Sequence, residues 1–392
     1  MLKAIIFDMD GVIIDSEPSH AKAALNVYKA HGIDADIDYC KSFIGSSTKK
    51  MCEDSIKKFS MNISSEDLLA EMNAEKKRLA ATEGYTPLPG VKELIKKLYS
   101  AGYHLAIASS SSITEIEDVV KSLNIKKYFT KLISSSHVKE PKPAPDTFLL
   151  ALQKLGISAK EALVIEDSEH GVSAAKAAGI ACIGYENPHS GSQNLSKADV
   201  LLESFEGLTT HFFEYTLQRS LGLPVNITST KRLNIRELCV DDINELYPIY
   251  SDPQIRKYID NIDDYLENEI EKQKAYIKNV YSFYGYGLWG IFSKTNGKLI
   301  GRCGIENHTV DGKEEIMLSY LLDSQHWGYG YAIECCSAVL KYARDELDIH
   351  RVVCVIDFDN SRSIKTAQKL GMKCEKDLIH NGRECLLYSI EL

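Results

Sequence analysis

The chain has 392 residues, 44% of them hydrophobic and 26% charged, with a formal net charge of −9. That length exceeds one hydrophobic core and suits two domains, and the composition excludes a disordered chain. No apolar run reaches membrane-span length, and the acidic balance argues against a nucleic-acid partner. The ten cysteines form no CxxC pair. The start carries no basic region or cleavage site, so the expectation is a reduced, cytoplasmic protein without disulfides or zinc.

Residues 4–7 form an apolar run that ends at Asp8 and Asp10. It reads as a buried central strand of a parallel sheet with chemistry at its carboxyl end. Gly11 follows where the backbone must turn. An aspartate there can attack phosphorus and hold a cation, while its neighbour two residues on moves a proton. An acidic surface turn is the competing reading of the pair alone.

Helical patterning runs from about residue 20 to 80, with Val27, Phe43, Ile44, Leu68, Met72 and Leu79 among the apolar positions. It predicts a helical insertion above the carboxyl end of the first strand, as a lid. Strands at 103–108, 131–134, 162–165 and 180–183 then alternate with helices, which predicts a doubly wound parallel sheet. The polar clusters Asp8/Asp10, Ser109, Lys142 and Glu166/Asp167 each fall at the end of a strand, where only parallel topology gathers them. Separately, Ser109 can be a helix cap, Lys142 a solvated loop lysine, and Glu166-Asp167 first-turn helix acids.

The pieces Phe7-Asp8-Met9-Asp10-Gly11-Val12, Ile107-Ala108-Ser109, Lys142-Pro143-Ala144-Pro145-Asp146 and Ile165-Glu166-Asp167-Ser168 resemble the haloacid dehalogenase superfamily. The resemblance is to its β-phosphoglucomutase-like phosphatase branch with a helical cap, and covers about residues 1–213. It implies Asp8 as nucleophile through an aspartyl-phosphate, and Asp10 as acid and base with a pKa set apart from that of Asp8. It implies Ser109 and Lys142 as phosphoryl and charge stabilisers, with His20 and Ser110 on the substrate. It also implies Mg²⁺ on Asp8, the Asp10 carbonyl and Asp167, with Glu166 behind a bound water. The mutases of this branch carry a cap arginine after a glycine, whereas Gly45-Ser46-Ser47-Thr48-Lys49-Lys50 has threonine there. Hydrolysis is therefore the expectation over phosphomutase. Lys76 or Lys77 is a substitute cation, with a solvated helix face the favoured reading of both.

A strand at 199–202 and a helix at 209–219 end this part, and Leu221-Gly222-Leu223-Pro224-Val225 breaks the helix as a linker. From Thr230 the pattern changes to a strand, two helices, a hairpin about Asn296-Gly297 and a strand at 315–322. The glycine turn Trp327-Gly328-Tyr329-Gly330-Tyr331-Ala332 opens a helix to about 346, a site suited to pyrophosphate though not a dinucleotide fingerprint. A strand at 352–356, a helix at 364–370 and a last strand at 384–390 follow.

The elements Thr230-Lys231-Arg232-Leu233, Ser251-Asp252-Pro253, the 327–332 turn, and Asn360 with Ser363 before Leu370-Gly371-Met372 resemble the GNAT acetyltransferases. The branch is that of the ribosomal-protein N-terminal acetyltransferases. The resemblance implies acetyl-CoA, with pyrophosphate on the backbone of 328–332 beside Trp327 and the pantetheine arm along Asn360. It implies a glutamate base on the preceding strand, where this chain has Met317. Glu315 is the substitute base, Ser363 the acid for the thiolate (or a helix cap), and Tyr388 a further candidate.

The fold expectation is α/β: a doubly wound parallel sheet with helical cap, core 1–15 and 86–215 and cap 16–85, a linker 216–229, and an α+β GNAT domain with a mixed sheet at 230–392. The functional expectation is a bifunctional enzyme, a Mg²⁺-dependent phosphatase of a small phosphate ester and an N-acetyltransferase of an amine on a metabolite or protein N-terminus. The alternatives are a phosphomutase, or a second domain that only binds acyl-CoA and regulates the first.

Overall fold

The computed structural model describes residues 1–43, 48–259 and 262–392, without the side chain of Lys41. The chain divides into two compact units, Met1–Leu221 and Gly222–Leu392. No helix among the described residues is long and apolar enough to cross a membrane.

The first unit runs β1 (Ala4–Phe7), α1 (Glu17–Ala30), α2 (Ile37–Lys41), α3 (Thr48–Phe59), α4 (Ser65–Glu83), α5 (Val91–Ser100), β2 (His104–Ser109) and α6 (Ile113–Ser122). It continues with β3 (Phe129–Ser134), α7 (Asp146–Leu155), β4 (Ala162–Glu166), α8 (Glu169–Ala177), β5 (Ala181–Tyr185), β6 (Val200–Leu202) and α9 (Thr210–Ser220). The sheet is parallel in the order β3-β2-β1-β4-β5-β6, so β1 lies between β2 and β4. Both faces of β1 are buried. Ile5 and Phe7 join Leu105, Ile107, Leu163 and Ile165 under α5, α6 and α9. Ile6 joins Ala106, Val164, Phe148 and Val172 under α7 and α8. This is the alternation a doubly covered parallel strand requires.

The helical insertion α1–α4 has its own small core of Ala24, Val27, Tyr28, Cys52, Leu68 and Met72. Ile44 and the Gly45-Ser46-Ser47 part of the expected cap stretch lie outside the described residues. Thr48 opens α3.

The second unit contains β7 (Asn226–Ser229), β8 (Leu233–Arg236), α10 (Ile243–Tyr250), α11 (Pro253–Arg256), α12 (Leu266–Tyr276), α13 (Ser282–Tyr284), β9 (Leu288–Ser293), β10 (Leu299–Val310) and β11 (Lys313–Leu322). Then come α14 (Tyr331–Leu347), β12 (Arg351–Asp357), α15 (Ser361–Lys369), β13 (Lys373–His380) and β14 (Arg383–Glu391). Its mixed sheet has the order β13-β14-β12-β11-β10-β9-β8-β7, with β11 and β12 parallel through Met317 and Val353. Helices α10–α12 pack Leu246, Ile249, Tyr250 and Ile255 against Phe292, Leu299 and Leu321. The stretch 216–229, expected as a linker, holds the end of α9 and the edge strand β7.

Candidate functional site

The strand order of the first unit gathers four separated sequence clusters at one edge of the sheet. Asp8 leaves β1, and its N–H donates to the Ile165 carbonyl at 2.9 Å. Lys142, in the loop after β3, reaches Asp8 Oδ1 at 2.7 Å, Glu166 Oε1 at 2.6 Å and the Ala108 carbonyl at 3.0 Å. Its ammonium also lies 4.8 Å from the centre of the Phe148 ring. The solvated-lysine reading of Lys142 is therefore excluded. Glu166 also accepts from Ser168 N–H and Oγ, at 3.1 and 2.9 Å. The cap of α8 is Ser168, so Glu166 and Asp167 are not first-turn helix acids.

One oxygen each from Asp8, Glu166 and Asp167 falls within 4.8 Å of the others, all three residues being buried. Burial pushes the Asp8 carboxyl up to about 7, assisted by the charges of Glu166 and Asp10 and opposed by Lys142. Burial, then Glu166 and Asp8, likewise hold Asp167 well above its ordinary range. Burial alone would lower Lys142, but Asp8 and Glu166 outweigh it and raise the ammonium. Three carboxyl groups crowd one ammonium, so the cluster can ionise fully only with further positive charge beside it. The donor set is all oxygen, so the residues present fit a hard divalent cation.

Two glycines make room for this cluster. A Cβ on Gly11, whose φ is +75°, would lie 1.9 Å from Asp167 Oδ2. A Cβ on Gly171, in α8, would lie 1.7 Å from Glu166 Oε1.

Ser109 is buried at the end of β2, and its Oγ accepts from Ser111 N–H at 3.0 Å. The α6 cap is Ser112, not Ser109. Asp10 accepts from Ser111 Oγ at 2.6 Å. Ser110 is exposed and its carbonyl accepts from Ser135 Oγ, so Ser111 rather than Ser110 faces the acid/base candidate. His20 of α1 stands near Asp10 and Lys76. Burial and the Lys76 charge lower its imidazole to about 4, against the opposing effect of Asp10. Burial lowers Lys76 too, while Asp10, Glu115 and Glu17 act on it from around. Lys76 thus belongs to the site and not to a solvated face, whereas Lys77 is exposed.

The loop after β5 adds residues that sequence reasoning missed. Asn187 Nδ2 donates to the Gly11 carbonyl at 3.1 Å, and Ser190 Oγ donates to Asp167 Oδ2. His189 Nδ1 pairs with Asp15 Oδ2 at 2.7 Å. The signal was available: Glu186-Asn187-Pro188-His189-Ser190 is a polar loop at the carboxyl end of a fifth parallel strand.

The second unit holds a cavity of about 1010 Å³. Trp327, Gly328, Gly330, Tyr331 and Ala332 line it at the start of α14, where a helix leaves its first N–H groups without intrahelical partners. Asn360 and Ser363 line it at the start of α15. The cap of α15 is Asn360, whose Oδ1 accepts from Ser363 N–H at 3.2 Å, so Ser363 is not the cap. Ser363 Oγ instead accepts from Tyr320 Oη at 3.2 Å, a partner the sequence did not reveal. Tyr329 is exposed and outside the lining, although its carbonyl, held by Arg232 Nη1 at 2.9 Å, fixes the turn.

Two expectations fail. Glu315 is held by Arg351, with Nε 3.2 Å from Oε2, in a cluster with Glu375 and Glu391, and it does not line the cavity. Tyr388 is buried within β14 and is outside the lining. The cavity instead receives Arg302, Glu306 and His308 from alternate positions of β10.

These folds and sites define a two-part enzyme, a hydrolase unit followed by an acyl-transfer unit. Residues 5–185 match the haloacid dehalogenase-like hydrolase model, and residues 232–373 the acetyltransferase (GNAT) domain model. The chain belongs to the haloacid dehalogenase-like hydrolases and carries a GNAT acetyltransferase domain in its second unit. It is 34% identical over 176 residues to the fructose-1-phosphate phosphatase YqaB of Escherichia coli, covering 45% of this chain and 92% of that protein. Similarity to the phosphorylated carbohydrates phosphatase of Thermotoga maritima is 32% over 203 residues, or 52% of this chain and 91% of the other. The validoxylamine A 7'-phosphate phosphatase of Streptomyces hygroscopicus is 30% identical over 203 residues, 52% of this chain and 94% of the other.

Proposed function

We propose that the chain is a bifunctional enzyme: a Mg²⁺-dependent phosphatase of a small phosphorylated sugar or sugar alcohol in the unit Met1–Leu221, and an acetyl-CoA-dependent N-acetyltransferase in the unit Gly222–Leu392. The observation that carries the first half is Lys142 bound to both Asp8 and Glu166 beside Asp167. The sugar-phosphate class is supported by the activities named for the relatives.

In this reading Asp8 attacks phosphorus and the leaving oxygen takes a proton from Asp10. Water, deprotonated by Asp10, then opens the aspartyl-phosphate. Lys142 holds the Asp8 carboxylate and neutralises charge, and Ser109 donates to a phosphoryl oxygen. Ser111 keeps the Asp10 carboxyl aimed, and His20 with Lys76 receives the rest of the substrate from the cap. Mg²⁺, held by Asp8, the Asp10 carbonyl and Asp167 with Glu166 behind, would supply that further positive charge and polarise the phosphoryl group.

The second half rests on the cavity that joins the glycine turn to the start of α15. The backbone of 328–332 would hold the acetyl-CoA pyrophosphate, and Asn360 would lie along its pantetheine arm. Ser363, hydrogen-bonded to Tyr320, would protonate the departing thiolate. The acceptor is an amine on a metabolite or a protein N-terminus. Fusion suggests one pathway in which a phosphorylated, amine-bearing metabolite meets both activities.

The test is a screen of the full-length protein with Mg²⁺ for phosphate release from sugar and sugar-alcohol phosphates, together with thiol release from acetyl-CoA. Release that requires a bisphosphorylated sugar would mean a mutase. Acetyl-CoA binding without turnover over a broad amine panel would mean a regulatory module. Unrelated substrates for the two units would end the one-pathway idea.

A further inference from the structure

Strand β10 presents two chemically distinct sides. Cys303 and Ile305 are fully buried, whereas Arg302, Glu306 and His308 line the cavity. Glu306 sits opposite Met317 in the β10–β11 register. Met317 is also where β11 meets β12, through Val353. Beyond that pair both strands contribute to the cavity wall, β11 with Ser319 and Tyr320 and β12 with Ile356 and Asp357. Glu306 therefore stands beside the place where the two strands part, which is the slot an extended thioester arm needs.

The Glu306 carboxylate is built in. Tyr276 Oη of α12 donates to its Oε1 at 2.6 Å, and the same phenol oxygen accepts from Leu288 N–H at 2.8 Å. His308 Nε2 lies 3.6 Å from Oε2. The charged and titratable groups around it are Arg302 and His308 on β10, Tyr276 on α12 and Tyr250 on α10. Burial pushes the carboxyl up, but His308, Tyr276 and Arg302 hold it below the ordinary carboxylate value, so it is ionised at neutral pH. Asp359 also lines the cavity, exposed in the turn before α15. Glu315 is bound by Arg351. Asp357 accepts from Asp359 N–H at 2.9 Å and faces Arg383 at 3.8 Å.

We infer that Glu306 is the base of the acetyl transfer, that Tyr276 and His308 are its positioning residues, and that the acceptor is a primary ammonium drawn to its carboxylate. This rests on the acetyltransferase reading given above. The ammonium gives one proton to Glu306, and the freed nitrogen lone pair attacks the thioester carbonyl carbon. The C–N bond forms and the C–S bond breaks, with the bonding pair leaving on sulfur. The nitrogen loses its second proton and the thiolate gains one through the Tyr320–Ser363 pair. Glu306 then returns its proton to water, which leaves amide, free thiol and one proton.

The test uses the full-length protein, acetyl-CoA and a panel of amino sugars and their phosphates, polyamines, amino acids and peptides with free N-termini. Free thiol and acetyl-CoA affinity are both measured. With an accepted amine, Glu306→Gln is expected to keep acetyl-CoA affinity and to lose about 10²-fold or more in kcat. Without the base only amine that is already neutral reacts, so the rate of Glu306→Gln should climb with pH more steeply than that of the wild type, whose base is ionised throughout the neutral range, and Glu306→Asp should recover part of the rate. A Glu306→Gln enzyme with the wild-type rate and pH profile would overturn the assignment, as would one that has lost acetyl-CoA binding. A wild-type protein that binds acetyl-CoA and acetylates nothing in the panel would overturn the acetyltransferase reading itself.

Discussion

The ammonium of Lys142 lies 2.7 Å from Asp8 Oδ1, and the side chains of both are at least nine-tenths buried, at 5% and 10% exposure. Glu166, 1% exposed, takes the same ammonium from the other side at 2.6 Å. Removing one partner of a buried pair leaves the others uncompensated and costs about 3–5 kcal/mol. Lys142→Ala should therefore lower the unfolding temperature and end phosphate release together. Thermal unfolding with and without Mg²⁺ measures this, and an unchanged midpoint without metal would contradict the pairing.

Gly171 gives a second prediction, one whose sign is diagnostic. Alanine ordinarily stabilises a helix interior over glycine by about 1 kcal/mol. Here the added Cβ meets Glu166 Oε1 at 1.7 Å, inside a crowded acidic cluster. Gly171→Ala should instead destabilise by about 1–3 kcal/mol and impair phosphate release. Urea unfolding decides it. A stabilised variant would mean that the Glu166 carboxylate is free to move away.

The Ser190 hydroxyl donates to Asp167, a proposed ligand of the cation. A group that orients a metal ligand is worth about 10–100-fold in metal affinity. Ser190→Ala should raise the Mg²⁺ concentration for half-maximal phosphate release by that factor, with the saturated rate much less affected. Equal Mg²⁺ titrations for the two proteins would remove Ser190 from the site.

A pH prediction comes from the second unit. Arg236 holds Asp242 with two bonds of 2.7 and 2.8 Å, and Cys239 N–H adds a third of 2.7 Å. Burial opposes them, yet the Arg236 and Cys239 bonds leave the Asp242 carboxyl below its usual 3.8. A depressed folded value gives stability that is present above 3.8 and lost as pH falls through the folded value. Asp242→Asn should thus cost about 1–3 kcal/mol at pH 7 and progressively less below about pH 4. Thermal scans against pH check this, and a difference that stays constant to pH 2 would refute it.

Much of the first site was readable because parallel topology turns chain order into spatial order. Asp8 and Lys142 follow strands, Glu166 ends one, and β1 lies between β2 and β4. Ser190 was hidden because its meaning depends on a loop that folds back over Gly11 and Asp167, for which spacing gives no rule. In the second unit the glycine turn was legible from its backbone requirement, Gly328 and Gly330 having φ of +83° and +81°. Glu315 misled because only the fold brings Arg351 beside it. Strands β7 and β13 escaped notice because both are sheet edges. Lys373-Cys374-Glu375-Lys376-Asp377 carries the charges that protect an edge, and those charges erase the apolar alternation.

Asp8, held by Lys142, is the proposed nucleophile at phosphorus. The most direct measurement is phosphate release from fructose 1-phosphate and a set of related sugar and sugar-alcohol phosphates by the full-length protein. It is made with Mg²⁺ or with EDTA, for the wild type and for Asp8→Asn. Release is expected from at least one ester by the wild type with Mg²⁺, and none by Asp8→Asn or in EDTA. Release by Asp8→Asn at the wild-type rate would contradict it.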